Sequence, residues 1–167
     1  KLQLMSLSKY YEQFNYSGII NDLTNRGYDV IFIKQKPGNV SLEQAGDYLA
    51  SFIRHVNAKK NEDYPKEHWE NIIMGYSMGG QLARYALKKL EKDHMNDARN
   101  PHHHTRLYIP FDSPHHGANI PMFTQIIYYD MRDRNFFAME AYKALIDEAS
   151  KDMSISHILE GYPNNYS

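Results

Sequence analysis

Residues 69–90 contain the pattern that most restricts how this chain can fold. A largely apolar run at residues 69–74 leads directly into residues 75–80, which read GYSMGG, and residues 81–90 then carry apolar side chains at the helical period. This order predicts a buried strand, a sharp turn and a helix that begins at the turn. Gly75 and Gly79 are expected to leave room for the crowded backbone of such a turn.

Ser77 stands in the middle of this turn. A serine hydroxyl is a weak nucleophile, and a tight strand-to-helix turn lifts its oxygen clear of the backbone. The same turn aims the first N–H groups of the helix, including that of Met78, at the position where an oxyanion would form. Ser77 is therefore predicted to be a nucleophile. The alternative is a glycine-rich turn with an incidental serine.

Strand and helix patterns alternate along most of the chain. Residues 28–33 and 105–111 read as further strands, and the first of these is apolar on both faces, as in a parallel sheet covered by helices on each side. Helices are predicted over residues 17–26 with Gly27 as the stop, and from Ser41 with Gln44 as its capping partner. Further helices are predicted over residues 81–93, 121–130 and 136–151, followed by a short helical turn around residues 155–159, with loops over residues 59–68 and 94–104. The helix after Ser41 has a predicted buried face of Leu42, Ala45, Leu49, Phe52, Ile53 and Val56. The alternation predicts an α/β three-layer αβα sandwich with a mostly parallel sheet.

Composition excludes several classes of function. The 167 residues are of single-domain size, and 42% hydrophobic and 23% charged content indicates a folded chain. A formal net charge of −1 provides no overall field for nucleic acid or an anionic membrane. The absence of cysteine rules out disulfides, thiolate metal sites and a cysteine nucleophile, and no apolar run is long enough to predict a transmembrane segment.

Two blocks of sequence resemble the α/β-hydrolase superfamily, on its lipase and esterase side. They are GYSMGGQLARYAL at residues 75–87 and LYIPFDSPHHGANIP at residues 107–121. The pair is similar to a group of secreted bacterial lipase-like proteins with a GxSMGG elbow and a DSPHxGANIP block. The resemblance covers about residues 14–121 of a single domain, makes residues 122–167 a helical cap or lid, and favours a secreted or periplasmic location.

The resemblance also implies roles for individual residues. Ser77 would be the nucleophile, and the Met78 N–H would be one half of the oxyanion hole. In the family the other half comes from a glycine-containing loop after an earlier strand. Residues 1–16 hold no glycine and the chain begins with Lys1, so we expect that loop to precede this sequence in a longer or processed protein.

A serine triad places the carboxylate and then the histidine after the serine in these proteins. Asp112 ends a strand at the predicted catalytic edge, where the pancreatic-lipase branch has its triad acid; the alternative is an aspartate that accepts N–H bonds from the Ser113-Pro114 turn. His115 and His116 lie at the same edge, but we expect His115 to be structural and to bond to backbone. His157 has the right order without a preceding strand, and the family's base is expected beyond Ser167.

The other histidines after Ser77 lie at the opposite end of the predicted sheet. His94 and residues 102–104 suggest zinc, but adjacent residues in an extended chain point in alternate directions and no further ligand completes the set, so a solvated loop is favoured. The segment 122–129 reads either as a lid over an acyl groove or as a helix packed on the sheet.

The sequence therefore predicts a serine hydrolase that cleaves small-molecule or lipid esters through a Ser77 acyl-enzyme. This chemistry requires no cofactor or metal. The alternative is a noncatalytic binding module that keeps the hydrolase fold without a complete triad. Oligomeric state is left open by the sequence.

Overall fold

The computed structural model describes residues 7–34, 40–67, 69–134 and 136–146. The chain divides between Gly38 and Asn39 into two compact units. The short helical turn predicted around residues 155–159 lies outside the described residues.

The described part of the N-terminal unit contains two short helices. They are α1, Leu7–Phe14, and α2, Ile19–Asn25. Gly27 follows α2 with a φ of 84°, a backbone conformation that favours glycine. The prediction of a helix that stops at Gly27 is confirmed.

The strand predicted over residues 28–33 does not form in this unit, where residues 28–34 are neither helix nor strand. Phe32 packs against Tyr11 and Phe14, with ring centroids 6.0 and 5.8 Å apart. Ile31 and Ile33 are instead 57% and 58% exposed. An apolar run becomes a buried strand only when neighbours cover both of its faces. Here Phe32 packs against α1 while Ile31 and Ile33 remain exposed, so only one face of the run is covered.

The larger unit carries four helices and a pair of parallel strands among its described residues. In chain order these are α3, Leu42–Asp63; β1, Asn71–Tyr76; α4, Met78–Asn96; β2, Thr105–Phe111; α5, Met122–Met131; and α6, Phe136–Ile146. Strand β1 pairs in parallel with β2, with Ile73 opposite Tyr108 and Tyr76 opposite Phe111. The prediction of a mixed α/β protein with parallel strands is confirmed.

Helix α3 begins where the sequence predicts. Ser41 precedes it, and the Ser41 hydroxyl oxygen accepts the Gln44 N–H at 3.1 Å. The helix continues to Asp63, so the loop predicted from residue 59 starts later. Lys59 is paired with Glu62 and Asp63 at 3.1 and 3.0 Å in this last turn.

The buried face of α3 is turned relative to the prediction. Ala45 and Ile53 are buried as expected, but Phe52 is 37% exposed, and Ala50 is fully buried in its place. Small residues on α3 let α4 approach closely, and the shared core consists of Ala50, Ile53, Ala86 and Leu90. The exact face of α3 was therefore decided by its partner helix.

Helix α4 covers one face of the two strands. Ile73 is packed against the core of α3 and α4. Side chains on the opposite face remain 41–59% exposed: Ile72, Met74, Tyr76, Leu107 and Phe111. The larger unit thus has one packed and one open sheet face within its described residues.

A buried polar network closes the amino end of the two strands. The Asn57 amide donates to the His103 carbonyl oxygen at 2.9 Å, and the Asn71 amide donates to Asn57 Oδ1 at 2.8 Å and to the same carbonyl at 3.1 Å. His103 is only 8% exposed. The prediction that residues 102–104 form a solvated loop is therefore wrong for His103. Its carbonyl oxygen bonds to Asn57 and Asn71, and its ring accepts the N–H of Thr105, the first residue of β2.

Candidate active site

Ser77 occupies a strained turn at the carboxyl edge of the strands. It follows the last residue of β1 and precedes the first residue of α4, with φ 50° and ψ −123°. Its N–H donates to the Phe111 carbonyl oxygen at 2.9 Å, and its own carbonyl oxygen accepts the Gly80 N–H at 3.0 Å. A non-glycine residue keeps such a conformation only when its surroundings enforce it. The side chain of Ser77 is exposed.

Two glycines make this turn possible, and only one of them belongs to the predicted pair. A Cβ on Gly75 would lie 2.5 Å from both the carbonyl carbon of Gly79 and the Cα of Gly80. A Cβ on Gly80 would lie 2.8 Å from the Cβ of Ser113. Gly79 faces open space, with nothing within 4 Å of such an atom. The expectation for Gly75 is confirmed, whereas the crowding predicted at Gly79 is found at Gly80.

The backbone N–H of Met78 begins α4. The first N–H groups of a helix have no partner within the helix, and a helix of 19 residues carries a partial positive charge at this end. Such groups can donate to a negatively charged oxygen next to Ser77. This is the oxyanion position that the sequence predicts for Met78.

Asp112 stands in a position equivalent to that of Ser77 on the neighbouring strand. Tyr76 and Phe111 are the last paired residues of the two strands, and Ser77 and Asp112 each follow directly. Asp112 also has a positive φ, 49°, and is exposed. Among the described residues no group donates a hydrogen bond to its carboxylate. Two backbone bonds close the turn that follows Asp112. The His115 N–H donates to the Ser113 carbonyl oxygen at 2.9 Å, and the Gly117 N–H donates to the Pro114 carbonyl oxygen at 3.0 Å.

The loop after Asp112 is fastened to the start of α4. The Tyr108 hydroxyl donates to the Gly80 carbonyl oxygen at 2.6 Å and lies 3.5 Å from His115 Nε2. The Gln81 amide donates to the Pro114 carbonyl oxygen. The half-buried ring of His115 thus lies beside the Tyr108 hydroxyl, while its backbone N–H donates to the Ser113 carbonyl oxygen. The roles of Tyr108 and Gln81 were missed by sequence reasoning because each contact joins positions about thirty residues apart.

In the part of the chain that the structure describes, no imidazole is hydrogen-bonded to the Ser77 hydroxyl. His116 is exposed in the same loop as His115. His157, which has the chain order of a triad base, lies outside the described ranges. The structure thus brings Ser77, Met78 and Asp112 to one edge of the strands without a histidine bonded to the serine.

The rings of His94, His102 and His103 form a cluster at the other end of the strands. Ring centroids lie 5.5 Å apart for His94 and His102, and 4.2 Å apart for His102 and His103. The Nδ1 atoms of His102 and His103 accept the backbone N–H groups of His104 and Thr105 at 3.1 and 2.9 Å. Over the described residues no group of three or more potential ligands could hold a metal ion. The ring nitrogens bond to backbone instead.

Burial shifts the pKa of two groups near the strands. Desolvation lowers the pKa of His103, with a smaller contribution from the charge of His102, while Glu91 opposes both. Desolvation raises the pKa of Tyr108, and the positive charge of Arg84 opposes that change. Both groups are therefore held in their neutral forms at neutral pH.

Comparison with protein-family models, curated proteins and solved structures found no match to this chain. The fold and the site define a mixed α/β protein in which a strained serine turn joins a parallel strand to a helix. None of the helices in the described ranges has the length and apolar character needed to cross a membrane.

Proposed function

We propose that this protein is a serine hydrolase of the esterase or lipase type, which cleaves carboxylic esters through an acyl-enzyme on Ser77. The observation that carries the proposal is the backbone of Ser77, with φ 50° and ψ −123° in the turn between β1 and α4. A glycine-rich turn with an incidental serine needs no such strain. The close packing at Gly75 and Gly80 enforces it and leaves the hydroxyl exposed beside the first N–H groups of α4.

The proposed fold is that of an α/β-hydrolase, a three-layer αβα sandwich with a mostly parallel sheet. Its support is the open face of β1 and β2, where Met74 and Phe111 are 57% and 59% exposed. A sheet with apolar residues on both faces is stable when helices cover both. The parallel pairing of the strands fits the same arrangement, because parallel sheets occur almost only with both faces covered.

The chemistry proceeds in two balanced steps. The Ser77 oxygen attacks the ester carbonyl while an imidazole takes its proton, and the tetrahedral oxyanion accepts the Met78 N–H. The alkoxide leaves with the proton held by the imidazole, and the acyl group remains on Ser77. Water then attacks the acyl carbonyl while the same imidazole takes its proton, and collapse of this second tetrahedral intermediate releases the carboxylic acid as that proton returns to the Ser77 oxygen. Asp112 is the proposed acid that orients the imidazole, since it occupies the equivalent strand end.

A second candidate function is a noncatalytic binding module with a hydrolase-like fold. It is favoured by one observation, the lack of an imidazole bonded to the Ser77 hydroxyl among the described residues. In that case the exposed edge with Ser77 and Asp112 would bind an ester or another oxygen-rich ligand without turning it over.

An active-site-directed fluorophosphonate separates the two functions. We expect it to label the folded full-length protein, to leave Ser77→Ala unlabelled, and to label Ser51→Ala normally, because Ser51 is an exposed serine on α3. Hydrolysis of short p-nitrophenyl esters should follow the same order. Asp112→Asn should slow labelling strongly, with Asp130→Asn as an exposed control.

Two labelling results would contradict the hydrolase proposal. An unlabelled full-length wild-type protein with a cooperative unfolding transition, or labelling that persists in Ser77→Ala, would overturn the hydrolase proposal. Binding of an uncleaved ester by that protein would support the binding module.

A further inference from the structure

A groove of about 250 Å³ runs between α4 and β2, and we call it the α4–β2 groove. Helix α4 contributes Arg84, Lys88 and Glu91, and the segment that leads through β2 contributes His103, Arg106 and Tyr108. Three cationic side chains therefore face one carboxylate. Since the whole chain has a formal charge of −1, this concentration of positive charge is local to the groove.

The carboxylate of Glu91 is already occupied. Its oxygens lie 2.7 Å from the Lys88 ammonium and 3.8 Å from His103 Nε2. The pKa of Glu91 is lowered, mainly by the hydrogen bond from Lys88, so the carboxylate is ionised at neutral pH. Lys88 and Glu91 thus compensate each other, which leaves the two arginines as the remaining charges of the groove.

Neither arginine has a close carboxylate partner in the described part of the chain. No ion pair involves Arg84 there, and Arg106 approaches Glu70 only at 3.9 Å, with both side chains more than half exposed. Arg99, by comparison, is bonded to Asp97 at 2.7 Å. An exposed pair as loose as that of Arg106 is easily exchanged for a better anion.

We propose that the α4–β2 groove binds the phosphate group of a small soluble ligand through Arg84 and Arg106. Guanidinium groups bind tetrahedral oxyanions through two parallel N–H bonds, and two of them match the double charge of a phosphate monoester. A volume of about 250 Å³ is at or below the lower end of ordinary ligand pockets, which restricts the ligand to a small molecule. Tyr108 lines this groove and also bonds to Gly80 in the serine turn, but phosphate binding by the two arginines does not depend on the function proposed for Ser77.

Inorganic phosphate is the first probe, added to the full chain at constant ionic strength with chloride as the replaced anion. We expect saturable shifts of the backbone amide NMR signals of residues 84–91 and 105–108, with a dissociation constant on the order of 1 mM. Arg84→Gln and Arg106→Gln should each weaken binding about tenfold, since each removes charge-assisted hydrogen bonds. Arg84→Lys should retain part of the affinity, and Lys92→Gln, an exposed change on α4 outside the groove, should retain all of it.

Several results would overturn the proposal. They are linear, unsaturable shifts, shifts spread evenly over the surface, and unchanged affinity in the Arg84→Gln, Arg106→Gln double variant. Glycerol 3-phosphate and vesicles that contain phosphatidic acid distinguish the source of the phosphate. Binding to the vesicles without binding to either soluble phosphate would replace the soluble ligand by a membrane surface.

Discussion

The Tyr108 hydroxyl donates a hydrogen bond to the Gly80 carbonyl oxygen across 2.6 Å, which ties β2 to the first turn of the helix that follows Ser77. Three further contacts lie near the turn: the Ser77 N–H donates to the Phe111 carbonyl oxygen, Gly80 lies against Ser113, and the Gln81 amide donates to the Pro114 carbonyl oxygen. We therefore regard Tyr108 as a residue that positions the serine turn.

Tyr108→Phe should lower the free energy of unfolding by about 1 kcal/mol, because one half-buried hydrogen bond is lost without a change in shape. Urea denaturation measures this change. Tyr76→Phe is the control, since Tyr76 is 55% exposed at the end of β1 and its hydroxyl has no hydrogen bond among the described residues. Equal changes in the free energy of unfolding for the two substitutions would show that the bond from Tyr108 to Gly80 does not stabilise the fold.

The three glycines of the turn should tolerate alanine in a fixed order. Gly75→Ala should be the most destabilising, because its methyl group would meet backbone atoms at 2.5 Å that cannot move aside. Gly80→Ala should cost less, and Ser113→Gly should recover part of the loss, since the obstacle there is a side chain. Gly79→Ala should be neutral or stabilise α4 by up to about 1 kcal/mol. Thermal or urea unfolding of the four variants tests the order, and a large loss in Gly79→Ala contradicts it.

Ser77→Gly should stabilise the protein while it abolishes labelling by a fluorophosphonate. Glycine adopts positive φ without strain, and relief of such strain is worth about 1–3 kcal/mol. Ser77→Ala is the matched control, because alanine removes the hydroxyl but retains the strain. Stabilisation of similar size in both variants would show that the Ser77 hydroxyl, and not the strained backbone, destabilises the wild-type protein.

Stability should decline in mild acid because of His103. Its pKa is lowered in the folded protein, so the unfolded chain takes up the proton first. The stabilisation is complete above the unfolded pKa of about 6.5 and is lost as the pH falls from there through the folded pKa. Protonation would also place a proton on Nδ1, which accepts the Thr105 N–H at 2.9 Å.

His103→Asn tests this by urea unfolding between about pH 5 and pH 8. Asparagine can still accept the Thr105 N–H but does not titrate, so the variant should lose part of the acid dependence. The neighbouring charged groups Glu91, His102 and His104 are unchanged. His55→Asn, an exposed change on α3, should keep the wild-type profile. Wild-type acid dependence in His103→Asn would assign the effect to another group.

Asn57→Ala should cost about 1–3 kcal/mol, because Asn57 is 4% exposed and its loss leaves buried polar groups of Asn71 and His103 with fewer partners. Asn61→Ala, an exposed change one turn further along α3, provides the comparison. A difference below about 0.5 kcal/mol between the two would mean that the network contributes little.

Local patterns were sufficient for several elements. Strand β2 spans the predicted residues Thr105–Phe111, Ser41 caps α3, and Gly27 follows α2 with positive φ. The strand–turn–helix at Ser77 was likewise predicted. In each case the signal lies within a few consecutive residues, so hydrophobic periodicity and capping chemistry suffice to read it.

Other features were decided by tertiary contacts. Residues 28–33 have the composition of a buried strand but form none in the described unit, since a strand requires a partner as well as a pattern. Gly80, and not Gly79, is the crowded glycine because Ser113 packs against it. His103 is buried, and its carbonyl oxygen accepts hydrogen bonds from Asn57 and Asn71, which lie 46 and 32 positions away along the chain. The sequence by itself thus determined where the serine turn lies, while only the tertiary structure decided what surrounds it, because those contacts join residues that are distant along the chain.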